Sequence, residues 1–188
     1  MKRASKITVA VIVTVIASLL FGFAYDALMT LSEKQSYPQK YTDEISAASA
    51  KYGVPESKIY AVIKIESDFD GESVSDSDAY GLMQLTAETY ADMSGLSEEE
   101  GADRLKKIGD AENIAAGTKY LAWLYSKLEN WDTVYAAYNA GVGNVLEWLE
   151  NPEYSDDGKT LKYIPYPETR NYVRTVKSAE EAYLRLYY

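Results

Sequence analysis

From Ile7 to Tyr25 the chain carries no charged side chain, and only Thr8, Thr14 and Ser18 interrupt the apolar run as mildly polar residues. About 19 to 20 such residues wound as a helix span a hydrocarbon core of roughly 30 Å. Lys2, Arg3 and Lys6 precede the run, a placement that predicts a cytoplasmic amino end and a remainder outside. Residues 1–31 therefore read as a basic end and a transmembrane anchor. A cleaved signal peptide is the competing reading, because Gly22 and Ala24 are small enough for cleavage after Ala24. The run is, however, longer than the about 7 to 15 residues usual for a signal peptide's apolar region. A buried core helix does not accord with three leading cations.

The 188 residues include no histidine and no cysteine. One domain with a substantial core fits this length; two do not. The two absences exclude Ser-His-Asp and Cys-His nucleophiles, histidine-bearing zinc motifs, disulfides and thiolate chemistry. Carboxylate, lysine, tyrosine and amide chemistry remain. No acid precedes Asp26, so the portion beyond residue 25 carries 16 cations against 29 anions, a formal charge of −13. Phosphate backbones and anionic headgroups repel such a surface, which argues against nucleic acid as a partner. A neutral polymer suits it better.

Ser32 to Lys40 is polar, contains Pro38 and shows no apolar period, so residues 32–40 read as a linker. From Tyr41 onward the pattern is helical almost throughout, with neither strand alternation nor an internal repeat. The fold class is all-α. Helices are expected over 42–52, 55–67, 83–93, 97–107, 110–129, 131–139, 142–150 and 168–187. Gly53, Pro55, Gly141 and the pair Ser97 and Glu100 supply stop and start signals. Residues 151–167, with Pro152, Gly158, Pro165 and Pro167, form the one long irregular stretch near the end.

In the second of these helices Ile59, Val62, Ile63 and Glu66 fall at i, i+3, i+4 and i+7, on one stripe. A carboxyl group is thus aimed toward the core in the last turn, where the helix dipole also disfavours negative charge. Both effects favour the protonated form, which makes Glu66 a candidate general acid. Periodicity alone leaves open a glutamate that bends to solvent at the helix end.

Further blocks follow in order: Glu66-Ser67; Ser75; Ala79-Tyr80-Gly81-Leu82-Met83-Gln84-Leu85; Ala137-Tyr138-Asn139-Ala140-Gly141; and Ile164 to Val173. Together they resemble the lytic transglycosylase domain of the soluble type, in the lysozyme-like superfamily, over roughly residues 42–185. The resemblance implies a lysozyme-like helical catalytic domain over residues 41–188. It also implies a bacterial enzyme that cleaves the bond between N-acetylmuramic acid and N-acetylglucosamine in peptidoglycan strands, and the apolar run would hold it at the cell membrane with this domain outside. Glu66 matches the one catalytic glutamate. It would protonate the leaving oxygen and then accept the proton of the muramoyl 6-hydroxyl as that group attacks the anomeric carbon, giving a 1,6-anhydro end. The resemblance further assigns hydrogen bonds to substrate or glutamate to Ser75, Gln84, Tyr138 and Asn139, wall contacts to Met83, and a supporting carboxylate to Glu168. Tyr172 is expected in the core. No cofactor is implied.

This sequence departs from the family pattern in the loop after Glu66. Asp76 follows Ser75, Asp78 stands where a glycine is usual, and Thr86-Ala87 replaces a proline stretch. Goose-type lysozymes carry aspartates where Ser75 and Thr86 stand, so a hydrolase using Asp76 or Asp78 as second carboxylate is an alternative. Another is a glycan-binding scaffold without cleavage, although a binder gains nothing from a desolvated acid. The acidic run from Asp68 to Asp78 does not fit a calcium loop: from Asp68 the glycine falls at position four, and from Asp76 position twelve is Ala87. No metal site is expected.

Overall fold

The computed structural model describes residues 2–188, with side chains from residue 8 onward. The side chains of Lys2, Arg3 and Lys6, on which the expected orientation rests, lie outside the described ones. The chain divides into two compact units, Met1–Pro38 and Gln39–Tyr188.

The first unit is a single helix, α1 (Lys2–Ser36). Its apolar side chains, Leu19, Phe21 and Phe23 among them, are exposed. Thr14 and Ser18 donate their hydroxyls to the carbonyls of Ala10 and Thr14 at 3.0 and 2.9 Å, so both polar groups are satisfied within the helix. The part from Thr8 to Ser36 is long and apolar enough to cross a membrane. Residues 32–36, expected in the linker, continue the helix. Propagation from an existing helix end adds one bond per residue fixed, and no breaker intervenes before Pro38.

The second unit is all-α, as expected. Its helices are α2 (Thr42–Tyr52), α3 (Glu56–Ser67), α4 (Ala87–Ser94), α5 (Glu98–Leu105), α6 (Asp110–Leu128), α7 (Trp131–Ala140), α8 (Val142–Glu150) and α9 (Pro167–Tyr187). Two isolated bridges, Val74 with Tyr80 and Tyr80 with Leu85, are the strand-like pairings among the described residues. The expected punctuation forms: Gly53 ends α2 in the left-handed region, and Ser97 and Glu100 close a reciprocal capping box on α5. Helix α4 starts later than expected. Apolar Leu82, Met83 and Leu85 belong to a turn, with Gln84 at φ 46°, and the side chain of Thr86 caps α4 by accepting from the Thr89 N–H.

Helix α3 packs against α2 and α9, α6 against α2, α4 and α7, and α7 against α8 and α9. The core joins Ile59, Tyr60 and Ile63 of α3, Ile114 and Leu121 of α6, Val134 of α7 and Tyr183 of α9, all buried. The rings of Tyr60 and Tyr183 stack at 5.0 Å between centroids. Lys58 of α3 bonds Glu180 of α9 at 2.5 Å, and the other oxygen of Glu180 accepts the Tyr135 hydroxyl at 2.7 Å. The Lys58 ammonium lies 4.6 Å from the centre of the Trp131 ring. Residues 151–166 form the expected irregular stretch, whose end is pinned by the Arg170 guanidinium to Ile164 O at 2.6 Å and the Tyr163 hydroxyl at 2.8 Å.

The Lys58 ammonium and the Glu180 carboxylate are largely buried, so removal of one partner strands the other. Glu180→Ala is expected to destabilise the chain by about 3 kcal/mol, read as a lower denaturant midpoint. Unchanged unfolding would show that α9 is held by apolar packing alone.

Candidate active site

Helix α3 delivers Glu66 on the inward stripe predicted from its spacing. The chain then reverses sharply, with Asp68 at φ 51° and Phe69 at φ 65°, a left-handed pair that only strong tertiary packing sustains. Phe69 is buried and supplies that packing. Ser67 donates its hydroxyl to Leu82 O at 2.8 Å and so ties the end of α3 to the Gly81–Leu85 turn.

The carboxyl of Glu66 accepts a hydrogen bond from the Tyr172 hydroxyl at 2.5 Å. Burial raises its pKa to about 7, against an opposing, lowering effect of the Tyr172 bond; no charged neighbour contributes to the shift. The residue is only partly buried, so a ligand can still reach it. The hydroxyls of Tyr172 and Tyr138 are pushed well above the ordinary phenol range, first by burial and then by the negative charge of Glu66. Both therefore remain neutral donors. Tyr138 donates to Met83 O at 2.8 Å, which links α7 to the turn carrying Gln84.

That turn is built around Asn113 of α6, a buried amide in an apolar stretch. It accepts from Met83 N at 2.8 Å and donates to Tyr80 O at 2.9 Å. A Cβ on Gly81 would stand 2.5 Å from the Asn113 side-chain nitrogen, and one on Gly117 would stand 2.4 Å from the Met83 sulfur. Glycine at these two positions is what allows turn and helix to approach so closely.

The other expected site residues fall into distinct places. Gln84 spends its NH2 group on Ser73 O at 3.0 Å and Gly81 O at 2.9 Å, so it staples the loop. Ser75 is exposed, and its hydroxyl accepts the N–H groups of Ser77 and Ala79 at 3.3 and 3.1 Å. Asn139 is exposed and accepts the Thr169 hydroxyl at 2.7 Å, joining α7 to the first turn of α9. Met83, expected on a wall, is fully buried, because its side chain fills the space above Gly117. Glu168, expected to support the glutamate, is exposed in the first turn of α9, where an acid complements the helix dipole. It makes no hydrogen bond or ion pair among the described residues.

Tyr172 departs from its assignment to the core alone: it is buried, yet its hydroxyl is the partner of Glu66. Asn113 was also missed, although a polar residue on the apolar face of a helix was a readable signal. The acids of the preceding loop are occupied with it: Asp68 pairs with Lys64, Asp70 accepts the Glu72 N–H, and Asp78 accepts the Tyr80 hydroxyl at 3.4 Å. Asp76 is exposed.

Two cavities flank the Gly81–Leu85 turn. One, of about 380 Å³, is walled by Tyr138, Asn139, Tyr120 and Trp123 and by Glu88 and Asp92 of α4. The other, of about 350 Å³, lies between the loop and the start of α6, with Glu72, Tyr80, Gly81, Lys106 and Asp110 in its lining.

The family profile described as the transglycosylase SLT domain matches residues 43–161. The membrane-bound lytic murein transglycosylase C of Salmonella arizonae is 34% identical over 78% of this chain and 47% of its own length. Among solved structures, the 70 kDa soluble lytic transglycosylase of Escherichia coli is 28% identical with a TM-score of 0.64, over 81% of this chain and 25% of that one. An inactive mutant of lytic transglycosylase Slt from Pseudomonas aeruginosa is 29% identical with a TM-score of 0.61, over 80% and 25%. The chain thus spans about half the length of this curated relative and a quarter of the solved chains. The all-α unit has the lysozyme-like fold of those structures, and the chain belongs to the transglycosylase SLT domain family.

Proposed function

We propose that the chain is a peptidoglycan lytic transglycosylase that cleaves the β-1,4 bond between N-acetylmuramic acid and N-acetylglucosamine. The observation that carries this reading is a single, partly buried carboxyl, Glu66, with its pKa raised by desolvation to about 7 and a tyrosine hydroxyl on it. Near neutral pH such a group holds a proton it can give to the glycosidic oxygen as the C1–O4 bond breaks. The carboxylate left behind is stabilised by Tyr172 but still poorly solvated, so it is a strong base. It takes the proton of the muramoyl 6-hydroxyl while O6 bonds to C1. The proton returns to Glu66, no water is consumed, and the product ends in 1,6-anhydro-N-acetylmuramic acid. The tethered 6-hydroxyl needs no separate protein nucleophile.

A hydrolase needs a second carboxylate within about 5 to 10 Å of the acid. Asp78 is engaged with Tyr80, and no acid perturbs Glu66. Around Glu66, Tyr138 holds the turn through Met83 O, Gln84 holds the loop, and Asn139 with Tyr138 borders a cavity open to a sugar unit of the strand. Ser75 shapes the loop rim. Helix α1 serves as a membrane anchor with a cytoplasmic amino end and residues 41–188 outside the bacterial membrane.

Incubation with purified peptidoglycan, with or without a chelator, is expected to release fragments one water lighter than hydrolytic products and resistant to borohydride. Reducible muramic acid ends would establish hydrolysis instead. Glu66→Gln is expected to abolish release. It should also stabilise the fold at pH 8: holding the proton to about pH 7 rather than 4.5 makes folding less favourable by about 3 kcal/mol once both states are ionised. The sign follows from proton counting. Between pH 4.5 and 7 the folded chain keeps a proton that the unfolded chain loses, so stability falls as pH rises through this window. A denaturant midpoint for Glu66→Gln equal to that of the parent chain at pH 8 would count against a buried acid.

The rate should fall as pH rises through about 7, where Glu66 loses its proton. Tyr172→Phe removes a bond that lowers this pKa, so the alkaline limb should move upward while kcat drops about tenfold to a hundredfold. A limb that moves downward would contradict the assignment. Finally, the chain should sediment with membranes and present residues 41–188 to protease from outside. A soluble mature form beginning near Tyr25 would identify residues 1–24 as a signal peptide.

A further inference from the structure

The cavity beside Tyr138 has a chemical asymmetry that cleavage of a neutral strand does not require. One wall is aromatic: the Tyr120 ring lies 5.4 Å from that of Tyr138 and stacks with Trp123 at 5.9 Å between centroids. The facing wall is α4, whose Glu88 and Asp92 stand one helical turn apart and so share a face. Neither carboxylate takes part in a hydrogen bond or ion pair among the described residues. Like charges at this spacing weaken an isolated helix, which offsets what Glu88 gains from its place in the first turn of α4. Burial raises the Tyr120 phenol, and the negative charges of Glu88 and Asp92 raise it further. Two lysines reach lining residues, each with a partner other than these carboxylates: Lys119 bonds Met93 O at 2.5 Å, and Lys127 lies 6.0 Å from the centre of the Trp123 ring.

An aromatic plane accepts the apolar face of a sugar ring, and a cation between such rings and two carboxylates gains from both. We infer that this cavity takes a sugar unit bearing a free amino group, a de-N-acetylated glucosamine, and that Glu88 and Asp92 select it over the acetylated unit. The inference rests on the glycan-cleaving reading above and assigns a strand preference to the same groove. Tyr138 is shared by the cavity and the Glu66 cluster, so a unit bound there lies next to the bond to be cut. An acetylated nitrogen is neutral and gains nothing from the carboxylates.

Binding by the cleavage-deficient Glu66→Gln chain tests this. Oligomers of glucosamine and of N-acetylglucosamine of equal length are titrated at low and at high salt. The glucosamine oligomer is expected to bind about tenfold more tightly at low salt, with the advantage shrinking as salt screens it. Glu88→Gln with Asp92→Asn should erase the advantage and leave binding of the acetylated oligomer unchanged. Glu98→Gln with Glu99→Gln, the same charge change on α5, should leave the advantage intact. Equal affinity for the two oligomers in the Glu66→Gln chain, or an advantage lost equally in the α5 variant, would overturn the inference. Peptidoglycan cleavage by the chain with Glu66 intact is measured in parallel. Cleavage without amine preference rejects the selection alone, whereas absence of cleavage from both native and de-N-acetylated strands rejects the glycan-cleaving reading itself.

Discussion

A partly desolvated carboxyl group at the end of α3 is held by one hydroxyl of α9, and much of the unit arranges itself around that contact. The Tyr172 hydroxyl bonds Glu66 without carrying charge, because burial and the neighbouring carboxyl both keep the phenol protonated. A cation in its place would lower the pKa of Glu66 and leave it ionised at neutral pH. The Lys58 and Glu180 pair, with Tyr135, clamps α3, α7 and α9 at a separate point. The position of α9 over Glu66 is thus fixed twice, once by charge and once by the tyrosine.

The opposite side of the cluster is set by hydrogen bonds to backbone rather than by apolar contact. Asn113 satisfies Met83 N and Tyr80 O, Tyr138 satisfies Met83 O, and Ser67 satisfies Leu82 O. Four backbone groups of Tyr80, Leu82 and Met83 therefore find partners on three helices, which is how an irregular segment can be buried at all. The left-handed residues Asp68, Phe69 and Gln84 are the conformational cost of bringing this turn under Glu66.

Most of the helices could be read from the sequence because their signals are local. Period, Gly53, Pro55 and the Ser97 and Glu100 pair act within a turn or two, and Glu66 revealed its direction through its i, i+3, i+4 and i+7 neighbours. What escaped depends on distant partners. Tyr172 lies 106 residues from Glu66, so nothing near it distinguishes a site hydroxyl from a core ring. Leu82, Met83 and Leu85 look helical until Asn113 pulls their backbone into a turn. The resemblance supplied Met83 and Glu168 as site residues, yet the side chain of Met83 fills the core beside Gly117 and Glu168 faces water at a helix start. The polar tail of α1 reads as linker by composition, but helix propagates through it until Pro38.

The account stands on the protonation of one side chain, and a carboxyl resonance can be followed directly. With glutamate labelled at the side-chain carbonyl carbon, and the Glu66 signal assigned by its loss in Glu66→Gln, an NMR titration reads the group itself in the folded chain. A midpoint near pH 7 is predicted. A midpoint near 4.5, the ordinary value, would mean that Glu66 is a solvated carboxylate at neutral pH and has no proton to give.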